Sequence, residues 1–405
     1  MGDAESVRGS GFVERTRVPE ARATLREATT QRTDTETVPL GTADGRVLAE
    51  SIDSPRNVPD FPRAAMDGYA VRAEDTFGAG SRSPATLDVG EEPAPGQATW
   101  VHTGSPVPEP ADAVVKTEHA TTVGDRVEIT AAAAVGQNVS AVGEDLEAGQ
   151  HLFDPGHRLR PSDLGLLRSV ETESVTVHQR PDVAVIPTGE ELVESDPDPG
   201  EAIETNGIMV SSLIERWGGA ATLEDVVTDD RDALLGAVED HLDADAIVTT
   251  GGSSIGKRDL LPAVVEERGE LLIHGVALKP GHPVAIGMVE ETPVVMLPGY
   301  PVACMVNAWQ FVRPLLNWLQ GTTPDETAAV EATLDRKIRS EPGIRSCVRV
   351  SVEDDEEPRA LPVQESGASI LSSVALADGW VQVPESIEGY DAGDTVTVEF
   401  WEVQP

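Results

Sequence analysis

The stretch of this chain best suited to chemistry is a Gly- and Ser-rich loop that follows a short apolar run. Residues 246–248 are typical of a buried strand, and Asp259 is placed to cap the helix after the loop. The N–H groups of such a loop are unpaired and lie at a helix N-terminus, where the helix dipole favours anions. The loop is therefore either a phosphate or oxyanion site, or an ordinary strand-to-helix turn. Its residues are Gly251, Gly252, Ser253, Ser254 and Gly256.

Similar loops recur where other strands are expected to end. From Pro181 onwards, strand-like and helix-like segments alternate, which predicts a parallel sheet covered by helices on both faces. Ligands of such sheets bind beyond the carboxyl ends of the strands. The loops at residues 188–192, 279–283 and 297–301 lie at such ends or face them, and an earlier loop at 103–108 carries hydroxyl groups.

The remaining segments predict a division into several domains. Short alternating runs cut by Gly and Pro over residues 87–142 indicate a small β domain, and the residues after the linker 322–326 indicate a second one. Asp67-Gly68 is, by itself, a turn into the strand 69–71. We expect a mobile tail over residues 1–18. Helices are predicted at 18–30, 160–170, 206–217, 231–242 and 302–320, with a strand through Val226-Val227.

The composition limits the classes of partner. The 405 residues include 71 Asp and Glu against 30 Lys and Arg, a formal net charge of -41. This charge repels nucleic acid and anionic membranes, so neither is an expected partner. Four of the basic residues are lysines, Lys116, Lys257, Lys279 and Lys337. Replacement of surface lysine by acids is typical of a halophilic protein, because salt screens the repulsion.

Cysteines and apolar runs limit the compartment. Cys304 and Cys347 cannot build a disulfide framework, and we expect two buried thiols. The first thirty residues lack the apolar core of a signal peptide, and no run approaches the ~18 apolar residues of a membrane span. We expect a cytoplasmic protein.

The motifs, taken together, carry a resemblance to a known family. The chain resembles the molybdopterin molybdenumtransferase family, the MoeA proteins that include the E domain of gephyrin. Each motif is common by itself, but their occurrence in this order over nearly the whole chain is highly specific. They are residues 65–70 (AMDGYA), 103–108 (TGSPVP), 143–145 (GED), 188–192 (TGEEL), 229–230 (DD), 250–256 (TGGSSIG), 279–281 (KPG) and 297–299 (LPG).

The resemblance implies a multidomain α/β plus β fold and a homodimer. Its central part is an α/β molybdopterin-binding domain with a parallel sheet, and its C-terminal domain is β-barrel-like. The active cleft is implied to be shared between subunits, with Asp67 and Thr103 reaching across from the partner. The implied parts are a tail at 1–18, an elongated linker and dimer segment at 19–45 and 143–180, an inserted β domain at 46–142, the α/β domain at 181–321 and the C-terminal domain at 327–405.

The implied reaction inserts molybdate into adenylated molybdopterin and releases AMP, with Mg²⁺. Asp229, Asp259 and Glu191 are the candidates for holding the metal and positioning water at the anhydride, because Mg²⁺ is bound through one or two carboxylates and phosphate oxygens. Each of these acids could equally be a solvated loop carboxylate or a helix cap. Candidates for substrate binding are Thr103, Thr188, Gly189, Thr250, Gly251, Gly252, Ser253, Ser254, Gly256, Pro298 and Gly299.

Other positions are implied to meet the oxyanion. Lys279 is assigned an oxyanion contact rather than an ordinary surface position, because lysine is rare in this chain. Lys257 is a weaker candidate for the same role. His282 replaces a lysine of the family pattern and is cationic only if its pKa is held up. The remaining oxyanion candidates, all in the last domain, are Arg345, Arg349, Ser369 and Ser372.

Three departures from the family pattern leave alternatives open. Pro62 stands where an acid is usual, with Asp60 as a possible replacement, and Ala303 stands where a serine is usual. Together with His282, these departures make tungstate an alternative to molybdate. A molybdopterin adenylyltransferase-like enzyme and a catalytically weakened pterin-binding scaffold are the competing functions, and the upstream adenylyltransferase is a candidate partner.

Overall fold

The computed structural model describes residues 15–252, 260–323, 327–353, 357–363 and 367–401. The chain forms two compact units, one of residues 1–36, 45–47 and 178–405 and the other of residues 37–44 and 48–177. No helix among the described residues is both long and apolar enough to cross a bilayer.

The smaller unit is built on a six-stranded sheet in the order β7-β4-β6-β5-β9-β8. The predicted strand after Asp67 is confirmed as β4, whose residues are all buried. The helix predicted at 160–170 is confirmed as α2. The Asp163 carboxylate caps its start by accepting the Arg160 N–H at 2.9 Å. Up to residue 178, the elements of the chain are α1 Val18–Ala28, β1 Thr35–Pro39, β2 Ile52–Asp53, β3 Arg63–Ala64, β4 Gly68–Val71, β5 Ala85–Val89, β6 Gln97–Val101, β7 Ala113–Lys116, β8 Ala120–Val123, β9 Arg126–Ile129, β10 Val139–Ser140, β11 His151–Phe153, α2 Pro161–Ser169 and β12 Ser174–His178.

The larger unit contains the predicted α/β region. Its sheet has the order β16-β13-β17-β21-β20-β18. The elements are β13 Asp182–Pro187, β14 Leu192–Val193, β15 Ala202–Ile203, α3 Asn206–Arg216, β16 Ala220–Leu223, α4 Arg231–Glu239, β17 Ala246–Thr250, α5 Leu261–Arg268, β18 Glu270–His274, β19 Leu278–Lys279, β20 Ala285–Val289, β21 Thr292–Leu297, α6 Pro301–Asn307 and α7 Arg313–Leu319.

Two expectations for this sheet need correction. Strands β16, β13, β17 and β21 are parallel as predicted, but β20 and β18 run antiparallel to their neighbours, because a turn without a helix joins β20 to β21. The strand predicted through Val226-Val227 is wrong. The strand is β16, at residues 220–223, and Val227 contributes a single bridge to Thr188.

The core of the α/β region lies on both faces of the sheet. All residues of β17 and β21 are buried, as expected for β-branched runs covered on both sides. The helix predicted at 18–30 is confirmed as α1, but it packs on this core: Val18, Ala21 and Leu25 are fully buried there. Thr16 also donates its N–H to Gly275 O at 3.1 Å.

The last region is the predicted small β domain. Strands β24, β25, β22, β28 and β26 close on themselves through a pairing of β24 with β26, and β19 extends the sheet beside β24. Its elements are β22 Ala329–Leu334, β23 Ile338–Arg339, β24 Arg345–Glu353, β25 Arg359–Pro362, α8 Ser372–Ala375, β26 Gly379–Val383, β27 Gly389–Tyr390 and β28 Thr395–Glu399. The predicted fold class, an α/β domain with separate β domains, is confirmed.

Candidate active site

Three of the predicted loops lie side by side at the carboxyl edge of the parallel strands. Pro187 is in register with Thr250, and Thr250 with Leu297, so the residues that follow β13, β17 and β21 are neighbours. A Cβ placed on Gly299 would lie 3.7 Å from Gly251 Cα. The structure therefore brings the Thr188, Thr250 and Pro298 segments together.

Glycine is required in the central loop. Gly251 and Gly252 have φ values of +130° and +63°. A Cβ on Gly251 would lie 2.3 Å from Thr188 O, and one on Gly252 would lie 2.9 Å from Thr188 Oγ1. A side chain at Gly251 would collide with the backbone of the neighbouring loop. Ser253, Ser254, Gly256, Lys257 and Asp259 lie outside the described residues, and the described helix begins at Leu261.

The predicted free N–H groups are not all free. The Gly251 N–H donates to Leu297 O at 3.0 Å, and the Gly189 N–H donates to Val227 O at 3.1 Å. The expectation that the central loop offers unpaired backbone donors is wrong for Gly251, because the ladder of the sheet extends one residue past the strand.

Buried polar atoms at the same edge are available to a ligand. Thr188 Oγ1 and Thr250 Oγ1 are buried and have no hydrogen-bond partner among the described residues. Asn206, which sequence reasoning missed, joins them. Its Nδ2 donates to Gly299 O at 2.7 Å, and its Oδ1 is likewise buried without a described partner. Asparagine at the start of a helix is common as a cap, so no sequence pattern singles out Asn206.

Two of the predicted acids lie next to each other. Burial, and then the charge of Glu191, raises the pKa of the Asp229 carboxyl, while the N–H of Glu190 donates to it and opposes this rise. The turn holding Asp229 meets the Gly189 loop through Val227. The described residues contain no group of three or more His, Cys, Asp or Glu that could hold a metal. Because Mg²⁺ needs one or two carboxylates beside phosphate oxygens, this pair of repelling acids fits the ion.

Two strands that carry oxyanion candidates pair with each other, but Lys279 is opposite Ser346, so the side chains of Lys279 and Arg345 lie on opposite faces of the pairing. Leu278 of β19 is in register with Arg345 of β24. Lys279 Nζ lies 3.0 Å from Glu341 Oε1, and Arg345 Nη2 lies 3.2 Å from Glu385 Oε2. Both cations are thus partly neutralised by carboxylates of the last domain.

A second contact brings the serine candidates to the strand ends. Val302 at the start of α6 donates its N–H to Ala368 O at 3.0 Å, which places the loop of Ser369 beside the segment after Gly299. Ser369 and Ser372 are exposed, and Ala303 is buried in α6. Arg349, in β24, is half-buried.

His282 lies at the end of the turn that carries Lys279, and its side chain is exposed. Partial desolvation, and then the neighbouring charge of Arg15, lowers the pKa of its imidazole. This shift disfavours the cationic form that a lysine substitute needs.

The candidates in the smaller unit form their own pair. The Asp67 carboxylate accepts the Thr103 N–H at 2.6 Å and the Thr103 hydroxyl at 2.8 Å. These bonds lower the pKa of Asp67, so this carboxylate stays ionised. Asp60, considered as a replacement for the acid absent at Pro62, is in an ion pair with Arg56.

Comparison with solved structures shows the same fold in a relative. The crystal structure of a molybdopterin biosynthesis MoeA protein from Pyrococcus horikoshii has a TM-score of 0.84 and 32% identity, covering 96% of this chain and 100% of that one. Molybdopterin molybdenumtransferase 2 of Mycobacterium tuberculosis is 34% identical over 89% of this chain and 94% of its own. Molybdopterin molybdenumtransferase of Bacillus subtilis is 33% identical over 95% and 94%.

Family models match the chain in three consecutive parts. Residues 16–170 match the MoeA N-terminal region, domains I and II. Residues 184–318 match the probable molybdopterin binding domain, and residues 331–401 match the MoeA C-terminal region, domain IV. These matches cover most of the chain in the order of the elements described above, and the chain belongs to the MoeA family.

Proposed function

We propose that this protein is a molybdopterin molybdenumtransferase, which inserts molybdate or tungstate into adenylated molybdopterin and releases AMP. The observation that carries the proposal is the row of strand-end loops, with buried Thr188, Thr250 and Asn206 oxygens that lack described partners. Similarity over nearly the full length to proteins named for this activity supports it.

The buried oxygens would hold the pterin nucleotide. Each threonine hydroxyl can donate or accept a hydrogen bond, and the Asn206 carbonyl oxygen accepts one. A ligand that satisfies all three removes the penalty of leaving buried polar atoms unpaired, about 1–3 kcal/mol for each atom. The site would therefore favour a ring system with several N–H and C=O groups, as a pterin has.

Asp229 and Glu191 would hold Mg²⁺ beside the pyrophosphate. Bound there, the ion would neutralise phosphate oxygens in the hydrolysis of the anhydride. The ion would also stabilise the ionised form of Asp229, which burial and the charge of Glu191 disfavour. Asp259 is proposed as a further ligand on the resemblance alone.

Lys279, Arg345, Ser369 and Ser372 would receive the oxyanion. Their proximity to the strand ends through β19, β24 and the Ala368 contact supports this. The lowered pKa of His282 favours its neutral form, which would offer the oxyanion a hydrogen bond.

Further parts of the proposal rest on the family and the composition. They are a homodimer in which Asp67 and Thr103 of one subunit complete the site of the other, delivery of substrate by the upstream adenylyltransferase, and a cytoplasmic location. The net charge of -41 supports a high-salt habitat, so assays belong in concentrated KCl as well as dilute buffer.

The test is to incubate the protein with adenylated molybdopterin, Mg²⁺ and either molybdate or tungstate, and to measure AMP. Release that depends on one oxyanion supports the proposal and identifies the metal. Tight binding without release in either salt condition would instead indicate a pterin-binding scaffold. Formation of the adenylate from ATP and molybdopterin would indicate an adenylyltransferase.

A further inference from the structure

Asn307 is a fully buried amide at the end of α6. Its Nδ2 donates to Ala303 O at 2.8 Å, one helical turn back, and also to Gly281 O at 3.0 Å. The second bond leaves the helix and reaches the turn that carries Lys279 and His282. The Asn307 Oδ1 is buried and has no partner among the described residues, so the two Nδ2 bonds are what this amide contributes. A simple packing role is better served by an apolar residue, because a buried polar group is unfavourable unless it is hydrogen-bonded.

The turn is fitted closely to this amide. Gly281 has a φ of +108°, and a Cβ there would lie 2.0 Å from Asn307 Nδ2 and 3.2 Å from Ala303 O. The turn therefore touches the helix through its backbone. On its other side, Val276 donates its N–H to His282 O at 2.8 Å, which closes residues 276–282 into a compact loop.

The helix links this turn to the strand-end loops. It starts at Pro301, two residues after Gly299, and it is continuous through a π-helical segment at residues 308–312 to Leu319. Gly299 is itself fixed by the Asn206 amide. Two buried asparagines thus each bind the carbonyl of a glycine, one on the pterin side of the site and one on the oxyanion side.

We propose that Asn307 is a positioning residue that holds the Lys279–His282 turn at the distance from the strand-end loops that oxyanion binding requires. The inference rests on the proposed function for its kinetic consequence, but not for its structural one. Loss of the Gly281 bond frees the turn, so affinity for the oxyanion falls while affinity for the pterin nucleotide is kept.

The decisive variant is Asn307→Thr. A threonine hydroxyl can still donate to the carbonyl one turn back, at Ala303, but cannot reach Gly281. Asn317→Ala is the matched control, because Asn317 Nδ2 donates to Arg313 O at 2.8 Å in the same helix with the same spacing. Asn307→Ala serves as a second variant that removes both bonds.

The kinetic readout is the KM for molybdate or tungstate at saturating pterin nucleotide, beside the Kd of the pterin nucleotide without oxyanion. We expect Asn307→Thr to raise the oxyanion KM about tenfold and to change the nucleotide Kd less than about twofold, because a misplaced binding group affects only the ligand that it meets. Equal loss of both affinities, or no change in either, would overturn the proposal.

The structural readout does not depend on activity. Hydrogen exchange of the Val276 amide, which is bonded to His282 O, should be at least about tenfold faster in Asn307→Thr than in wild type or Asn317→Ala. Unchanged exchange at Val276 would overturn the positioning role even if AMP release is observed. If exchange at Val276 is faster in Asn307→Thr but the wild-type protein releases no AMP, the positioning role is kept and the proposed function is rejected.

Discussion

The strand-end loops and the Lys279–His282 turn contribute to one candidate site, but they are held in place differently. The loops after β13, β17 and β21 continue a buried parallel ladder, and their positions follow from backbone register. The turn is held by the backbone bond between Val276 and His282, one side-chain amide, a two-residue strand and one ion pair with the last domain. A region fixed by backbone tolerates few changes, whereas a region fixed by side chains can be altered residue by residue. The departure at His282 falls in the second region.

Gly251→Ala should have the largest effect, and it tests how rigid the first region is. The added Cβ would meet Thr188 O in a conformation that L-residues avoid, so we expect the free energy of unfolding to fall by about 4 kcal/mol. Chemical denaturation measures this. Gly299→Ala is the control, because its Cβ meets only an ordinary contact. If both variants lose the same small amount of free energy of unfolding, the Gly251 loop is not unusually rigid, and the difference between the two regions is not supported.

Asp229→Asn should reduce turnover about a hundredfold with the fold retained, through loss of Mg²⁺ coordination. The pKa of Asp229 is raised in the folded state, so this state binds the proton more tightly and the ionised carboxylate lowers stability as pH rises through the two pKa values. The variant should therefore be more stable than wild type at pH 7, and the difference should vanish under acidic conditions. Melting temperatures from pH 3 to 7 check this. A destabilised variant at pH 7 would contradict the electrostatic account.

Lys279→Ala should raise the oxyanion KM about tenfold and leave the melting temperature nearly unchanged, because its bond to Glu341 is exposed. Lys337→Ala removes another exposed lysine paired with an acid and is the control for net charge. If both variants change the KM equally, the effect comes from the overall field rather than from contact with the oxyanion.

His282→Lys should have the smallest effect, lowering the oxyanion KM about threefold at pH 8 by adding a charge. The pKa of His282 is lowered, so in wild type the charge develops only below the ordinary histidine range. The wild-type KM for the oxyanion should fall as the pH drops below the ordinary histidine range, whereas the KM of His282→Lys should not change with pH in that range. The same pH profile in both proteins would show that His282 does not meet the oxyanion.

The sequence by itself determined the order of domains, the fold class and the loops after β13, β17 and β21. These follow from apolar runs, Gly and Pro positions and the family motifs, which are properties of neighbouring residues. It misplaced the strand at Val226-Val227 and missed the antiparallel edge, because short apolar segments do not reveal the direction in which they pair.

Only the tertiary structure decided which polar groups the site can use. The N–H group of Gly251 was expected to be free but is bonded within the sheet, and Asn206 and Asn307, which no motif marks, bind the carbonyl oxygens of Gly299 and Gly281. The pKa of His282 likewise depends on burial and on Arg15, far away in the chain. Hydrogen-bond partners and desolvated charges are set by residues distant in sequence. Periodicity and motifs therefore predict the fold, whereas tertiary packing decides which polar groups can bind a ligand.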